Sequence, residues 1–265
     1  MDAPGRPIIV GGCHRSGTSL LRRMLDAHSR IHCGPEVPFF RDFFGDYRDD
    51  PLGHLRFSTT ARSILPEAEL LEVMGRAFVE THERAARHAG KERWADKSPD
   101  NVLYTDEWDR LLGSGWILVH VVRNPLDTLA SMVDRPFPLT LPPDTEGRAE
   151  HYRRYTDAGL AFARRAPDRC HLLVYEDLVG SAPRVLDELM GWLGEEAEPR
   201  QLDFNSVPHQ EGLEDPEVVR TSEIHRERIG CWRRSLDRSE ATRVWAATGE
   251  SWRRIDPELS RVDPP

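Results

Sequence analysis

Apolar positions along this chain fall into two rhythms. Short unbroken apolar runs suit strands buried on both faces. Longer stretches, with apolar residues every three or four positions, suit amphipathic helices. Pro7-Ile8-Ile9-Val10-Gly11-Gly12 predicts a buried first strand. Residues 17–28 then read as a helix with Leu20, Leu21, Met24, Leu25 and His28 on one face. Residues 66–90 carry a longer helical pattern through Leu71, Met74, Phe78 and His82, and a short extended segment around Trp94-Ala95 reaches Asp96-Lys97-Ser98-Pro99. Trp116-Ile117-Leu118-Val119-His120-Val121-Val122 is the clearest central strand. A helix follows Asn124-Pro125, where a proline in the first turn forfeits no hydrogen bond. Residues 136–143 are proline-rich and predict an exposed loop. Residues 150–166 predict a helix, 171–175 a strand, 183–193 a helix, 195–220 a polar loop or lid, and 238–254 a last helix.

This alternation predicts an α/β fold of three layers around a central, mostly parallel sheet. No composition shift marks a boundary and no repeat is visible, so 1–265 is expected to form one domain. The length permits one large or two small domains.

Charge narrows the partners. Lys+Arg total 36 against 45 Asp+Glu, a net charge of −9. A nucleic-acid binder or an anionic-membrane binder needs a broad basic face, so neither is expected. No apolar run is long enough to span a bilayer, and the first residues lack a signal-peptide pattern. Cys13, Cys33, Cys170 and Cys231 are widely spaced with no C-x-x-C pair, so neither a zinc site nor a disulfide framework is expected. These features predict a cytoplasmic protein without a metal.

Two strand–turn–helix junctions carry the chemistry. Gly11-Gly12-Cys13-His14-Arg15-Ser16-Gly17-Thr18-Ser19 joins the first strand to the first helix. A glycine-rich turn at a helix N-terminus exposes backbone N–H groups to an anion, usually phosphate. The spacing from Gly12 fits the loop of nucleotide triphosphatases, but Thr18 stands where their lysine would be, and the cation is Arg15. A P-loop kinase or ATP hydrolase is therefore the weaker alternative. The second junction runs from Val119 to Ser131. Arg123 ends the strand, and Ser131 lies about two turns into the helix with Arg135 a turn further on, so these residues are placed to meet a second phosphate.

In this order the motifs resemble the sulfotransferases that use 3′-phosphoadenosine-5′-phosphosulfate (PAPS), and most closely the tyrosylprotein sulfotransferases. The resemblance runs through the 15–28 segment, Cys33-Gly34-Pro35-Glu36, Asp96-Lys97-Ser98-Pro99, Arg123 with Ser131, Tyr175-Glu176-Asp177-Leu178-Val179 and, more weakly, Ile229-Gly230-Cys231-Trp232-Arg233. It implies a P-loop-like fold and that Arg15, Ser16, Gly17, Thr18 and Ser19 hold the 5′-phosphosulfate. It implies that Arg123, Ser131 and Arg135 hold the 3′-phosphate, that Tyr175 contacts the nucleotide, that Glu36 is the base, and that Lys97 with Arg15 stabilises the group in transfer. The product is then 3′-phosphoadenosine-5′-phosphate (PAP) and no metal takes part. The acceptor is a hydroxyl-bearing small molecule or peptide, and a homodimer is compatible with the sequence.

Departures from the family matter too. The position that would hold a disulfide partner for Cys33 is Ala95, and Val37-Pro38-Phe39-Phe40 replaces a polar, peptide-contacting pair. An apolar or aromatic acceptor, a phenol or an alcohol, is expected. Phe39, Phe40, Phe43 and Phe44 are open to two readings, acceptor pocket or core. His14 is open as a second base, Arg226 and Arg228 as a clamp on the 3′-phosphate, and Trp232 as a stack on adenine.

Overall fold

The structure is a computed structural model, and it describes residues 5–45, 60–135, 137, 140–212, 216–220, 224–262 and 265. Five strands form one sheet: β1 (Ile8–Gly12), β2 (Ile31–Cys33), β3 (Arg93–Lys97), β4 (Ile117–Val122) and β5 (Cys170–Val174). Their order is β2-β3-β1-β4-β5 and every pairing is parallel. The helices are α1 (Thr18–Asp26), α2 (Phe39–Phe44), α3 (Glu67–His88), α4 (Thr105–Leu112), α5 (Pro125–Asp134), α6 (Thr145–Arg165), α7 (Tyr175–Gly180), α8 (Ala182–Leu193), α9 (Pro216–Arg220), α10 (Trp232–Ser235) and α11 (Arg238–Arg253).

Side chains alternate across each strand, so one strand feeds both layers. Ile8, Val10, Ile117, Val119 and Val121 pack with α1, α7 and α8. Ile9 and Leu118 face the other way, into a core of Trp94 from β3, Trp116 just before β4, Trp108 from α4, and Tyr152 and Phe162 from α6. Burial on both faces is why β1 and β4 read as unbroken apolar runs.

The expected three-layer α/β fold with a parallel sheet is what forms. Several local expectations are corrected. The first helix stops at Asp26; His28 lies beyond it, buried, with Nε2 against the Glu196 carbonyl at 3.1 Å. β2, α2 and α4 are additional elements. β2 has three residues, too few for a period to register. The 195–220 segment is not a free loop: Gln201 donates from Nε2 to the Met24 carbonyl (3.1 Å), His209 meets Asp26 (2.7 Å), and Phe204 is fully buried. In 136–143, Leu141 is buried rather than exposed, while Pro136, Pro138 and Leu139 lie outside the described residues.

Candidate active site

All five strands end on the same side, and each delivers a candidate residue there. The chain past β2 carries Glu36, β3 ends on Lys97, β1 runs into Arg15, β4 into Arg123, and β5 into Tyr175. Parallel pairing forces this convergence, because it puts the C-terminal ends of neighbours side by side. They open on a cavity of about 860 Å³ lined by Arg15, Gly17, Thr18, Ser19, Glu36, Lys97, Arg123, Ser131, Arg135 and Tyr175.

The turn after β1 is built for backbone donation. Gly12 adopts φ 155°, where a side chain would strike the Val121 carbonyl of the neighbouring strand. Gly17 is the N-cap of α1 at φ 101°, and a Cβ there would run into the Tyr175 ring. No side chain caps α1, so the donors of its first turn are left to face a ligand. Arg15 sits at φ 70°, a left-handed conformation that costs a non-glycine residue of the order of 1 kcal/mol and aims the side chain. Ser16 Oγ is buried with no partner.

The turn after β4 works through side chains instead. Asn124 caps α5 by accepting the Leu126 N–H at 2.9 Å, and Pro125 contributes no N–H. What projects is Arg123. It donates to the carbonyls of Arg15 (3.1 Å) and Arg228 (2.7 Å) and lies 4.5 Å over the Tyr175 ring. Arg15 Nε donates to Ser131 Oγ at 3.1 Å, joining the two turns. Asp127 accepts the Gly230 and Trp232 N–H groups (2.8 and 2.9 Å), which fastens the C-terminal segment over this end of the cavity.

At the other end Lys97 Nζ donates to Glu36 Oε2. Lys97 is 1% exposed and Glu36 17%. Burial raises the Glu36 carboxyl above its ordinary range, and the Lys97 charge opposes that rise. A carboxyl so placed is a better proton acceptor than a solvated one. His14 also lines the cavity. Its Nδ1 faces His151 Nε2 at 3.1 Å, and burial holds its pKa well below the usual value, against the pull of the Asp100 charge.

Not every expected residue lines the cavity. Ser16 lies beneath it. Arg226 turns away, with Nε on the Val179 carbonyl at 3.1 Å and a second bond to the Gly180 carbonyl, so it fastens the end of α7; its neighbour Arg228 lines the cavity in its place. Phe40 and Phe43 are core, Phe39 and Phe44 pack on that core, and Trp232 is buried in it. Among the described residues, the aromatic run packs as core and does not line this cavity. Phe137, Thr140, Arg220, His225 and Arg234 line the cavity without having been singled out. The density of arginines between 220 and 234 in an acidic chain was the available signal.

Comparison with known proteins agrees with this geometry. A family model described as "Sulfotransferase family" matches residues 7–199. A Caenorhabditis briggsae protein, provisionally named a protein-tyrosine sulfotransferase, is 24% identical over 191 residues, covering 70% of this chain and 64% of that protein's length. Among solved structures, the sulfotransferase domain of the Synechococcus PCC 7002 olefin synthase superposes with a TM-score of 0.67 at 20% identity, over 98% of this chain and 95% of the other. The mouse sulfotransferase SULT7A1, complexed with PAP, gives a TM-score of 0.51 at 14% identity, over 96% and 86%.

Proposed function

Since the chain belongs to the sulfotransferase family, we propose that it moves a sulfuryl group from PAPS to an acceptor hydroxyl, with Glu36 as general base. One observation carries this reading: a backbone-donor turn, an arginine turn and a buried Glu36–Lys97 pair open on one cavity. The donor set suits a nucleotide with two separate anionic ends. The uncapped α1 terminus, Arg15, Thr18, Ser19 and the unpartnered Ser16 hydroxyl would hold the 5′ end. Arg123, Ser131, Arg135 and the nearby Arg228 would hold the 3′-phosphate, and Tyr175 stacks under Arg123. The PAP bound by the mouse sulfotransferase supports this choice of ligand.

Bound there, the phosphosulfate supplies a neutral SO₃ unit and a phosphate leaving group. The protein's own residues do the rest. Glu36 accepts the acceptor's proton, and its raised pKa makes it the stronger base. Lys97 and Arg15 set fixed positive charge where negative charge develops, which lowers the barrier more than it tightens the ground state. The acceptor is a phenol, an alcohol or a tyrosine-like side chain; the nematode relative's name favours the last. No helix among the described residues is long and apolar enough to cross a membrane. Their four cysteines are free thiols, and with that we assign the chain to a reducing compartment, the cytoplasm.

A thermal-shift titration with PAP, run beside ATP and Mg²⁺, tests the ligand. A ligand at 100 times its Kd adds about 2.7 kcal/mol, a shift of several degrees. Stabilisation by ATP and Mg²⁺ alone would overturn the proposal in favour of a kinase. Glu36→Gln is then expected to cut turnover about 10²–10⁴-fold while PAP binding holds.

A further inference from the structure

Glu176 is a buried carboxyl that the transfer chemistry leaves unused. It lies in the first turn of α7, directly after Tyr175, and is 6% exposed. Its Oε1 accepts the Asn124 N–H at 3.0 Å, on the turn that projects Arg123. Its Oε2 is buried with no partner, and so is Arg123 Nε. The groups acting on it come from each neighbouring element: Arg123 past β4, Asp127 on α5 and the Tyr152 hydroxyl on α6. Asp127 is fully buried and commits its oxygens to Gly230 and Trp232. The Tyr152 hydroxyl donates to the Arg123 carbonyl at 2.9 Å.

Arg123 thus serves two masters. Its charge acts on the buried Glu176 carboxyl, and it lines the cavity, where it stacks over Tyr175. An anion in the cavity competes for the charge that offsets Glu176. Leaving a buried carboxylate without its cation is costly, and protonating it is the inexpensive relief. Asp127 is fully hydrogen-bonded as an acceptor, whereas Glu176 has one oxygen able to hold a proton without breaking a bond.

We propose that Glu176 takes up a proton when a nucleotide phosphate binds against Arg123, which frees the charge of Arg123 for the ligand. The inference rests on the nucleotide reading above. The step is balanced: one proton passes from solvent to Glu176 Oε2, the Asn124 N–H stays on Oε1, and no covalent bond changes. Burial supports it, since it already pushes the Glu176 carboxyl up to about 7.

Isothermal titration of PAP at pH 7.5, in two buffers of different ionisation enthalpy, counts the protons taken up. The wild type is expected to gain roughly half a proton, as a group near 7 shifts upward by about a unit or more. Glu176→Gln keeps the acceptor for Asn124 and is expected to bind PAP with a count near zero. The nucleotide's own phosphates ionise near pH 6 and contribute little at pH 7.5. His14 and His225 also line the cavity, so uptake that persists in Glu176→Gln belongs to them and overturns the proposal. Binding heat that does not depend on the buffer overturns it too, with the nucleotide reading left standing. Absence of any binding heat sinks that reading and this one together. Should the variant fail to fold, the wild-type count from pH 6 to 9 decides: a rise to a maximum between 7 and 8 supports the proposal, and a flat zero removes it.

Discussion

The two turns that face the cavity sit on adjacent strands in register, Gly12 opposite Val121, yet they solve the same problem differently. The turn after β1 bares its helix: Gly17 leaves the first-turn donors without a side-chain cap, open to an anion. The turn after β4 closes its helix with Asn124 and Pro125, and Glu176 takes the Asn124 N–H. The donor that projects from that turn is the Arg123 guanidinium. A backbone site is rigid and needs no charge balance. A side-chain site brings a full charge, and here that charge opposes the rise that burial imposes on Glu176. The first turn therefore depends on shape and the second on charge.

Substitutions can break that contrast, the most damaging first. Gly17→Val forces a side chain into the Tyr175 ring at a left-handed backbone position. A Tm fall of many degrees and a loss of PAP affinity of about 100-fold or more are expected, read by thermal shift and calorimetry. Arg123→Met keeps the stem and removes the charge. It is expected to weaken PAP about 10–100-fold, the worth of a charge-assisted hydrogen bond, and to leave a nucleotide lacking the 3′-phosphate unaffected. Equal losses for both nucleotides would show that Arg123 does not read the 3′ end.

Stability against pH sharpens the comparison. Burial raises Glu176 from 4.5 to about 7, so the fold favours its protonated form. Its stabilising contribution is complete below pH 4.5 and is lost as pH rises through 7. Glu176→Gln is expected to melt a few degrees above the wild type at pH 8 and level with it near pH 4. The smallest effect belongs to Asn124→Ala. It uncaps α5, for about 1 kcal/mol of stability and a Tm fall of a few degrees. PAP affinity should change little, because Arg123 stays anchored by other contacts; a large loss would mean that the cap aims Arg123.

What could be read in advance follows sequence distance. The β1 turn is one contiguous stretch, so its glycines, Arg15 and the helix behind it declare themselves together. Strands β1 and β4 are legible because burial on both faces leaves an unbroken apolar run. β2 is not, since three residues carry no period. The choice between Arg226 and Arg228 was equally hidden. Two residues apart on a short 3-10 turn, one reaches back to the carbonyls of α7 and the other faces the cavity, and only packing separates them. The Phe39–Phe44 run misleads for a related reason: an aromatic cluster suits a ligand pocket and a core alike, and only burial against Phe78, Tyr104 and Trp108 decides.

By itself, then, the sequence determined the layering and singled out the turn at Arg15 to Ser19 and Arg123 past the central strand, because each rests on short-range pattern, while Glu36 and Lys97 were candidates through the family resemblance. The tertiary structure decided that five strand ends meet at one cavity, that Lys97 pairs with Glu36 across 61 residues of chain, and that Glu176 takes the Asn124 N–H beside Arg123. Such pairings arise from parallel strand order and from burial, which remove charges from water and compel them to find partners far away in the chain.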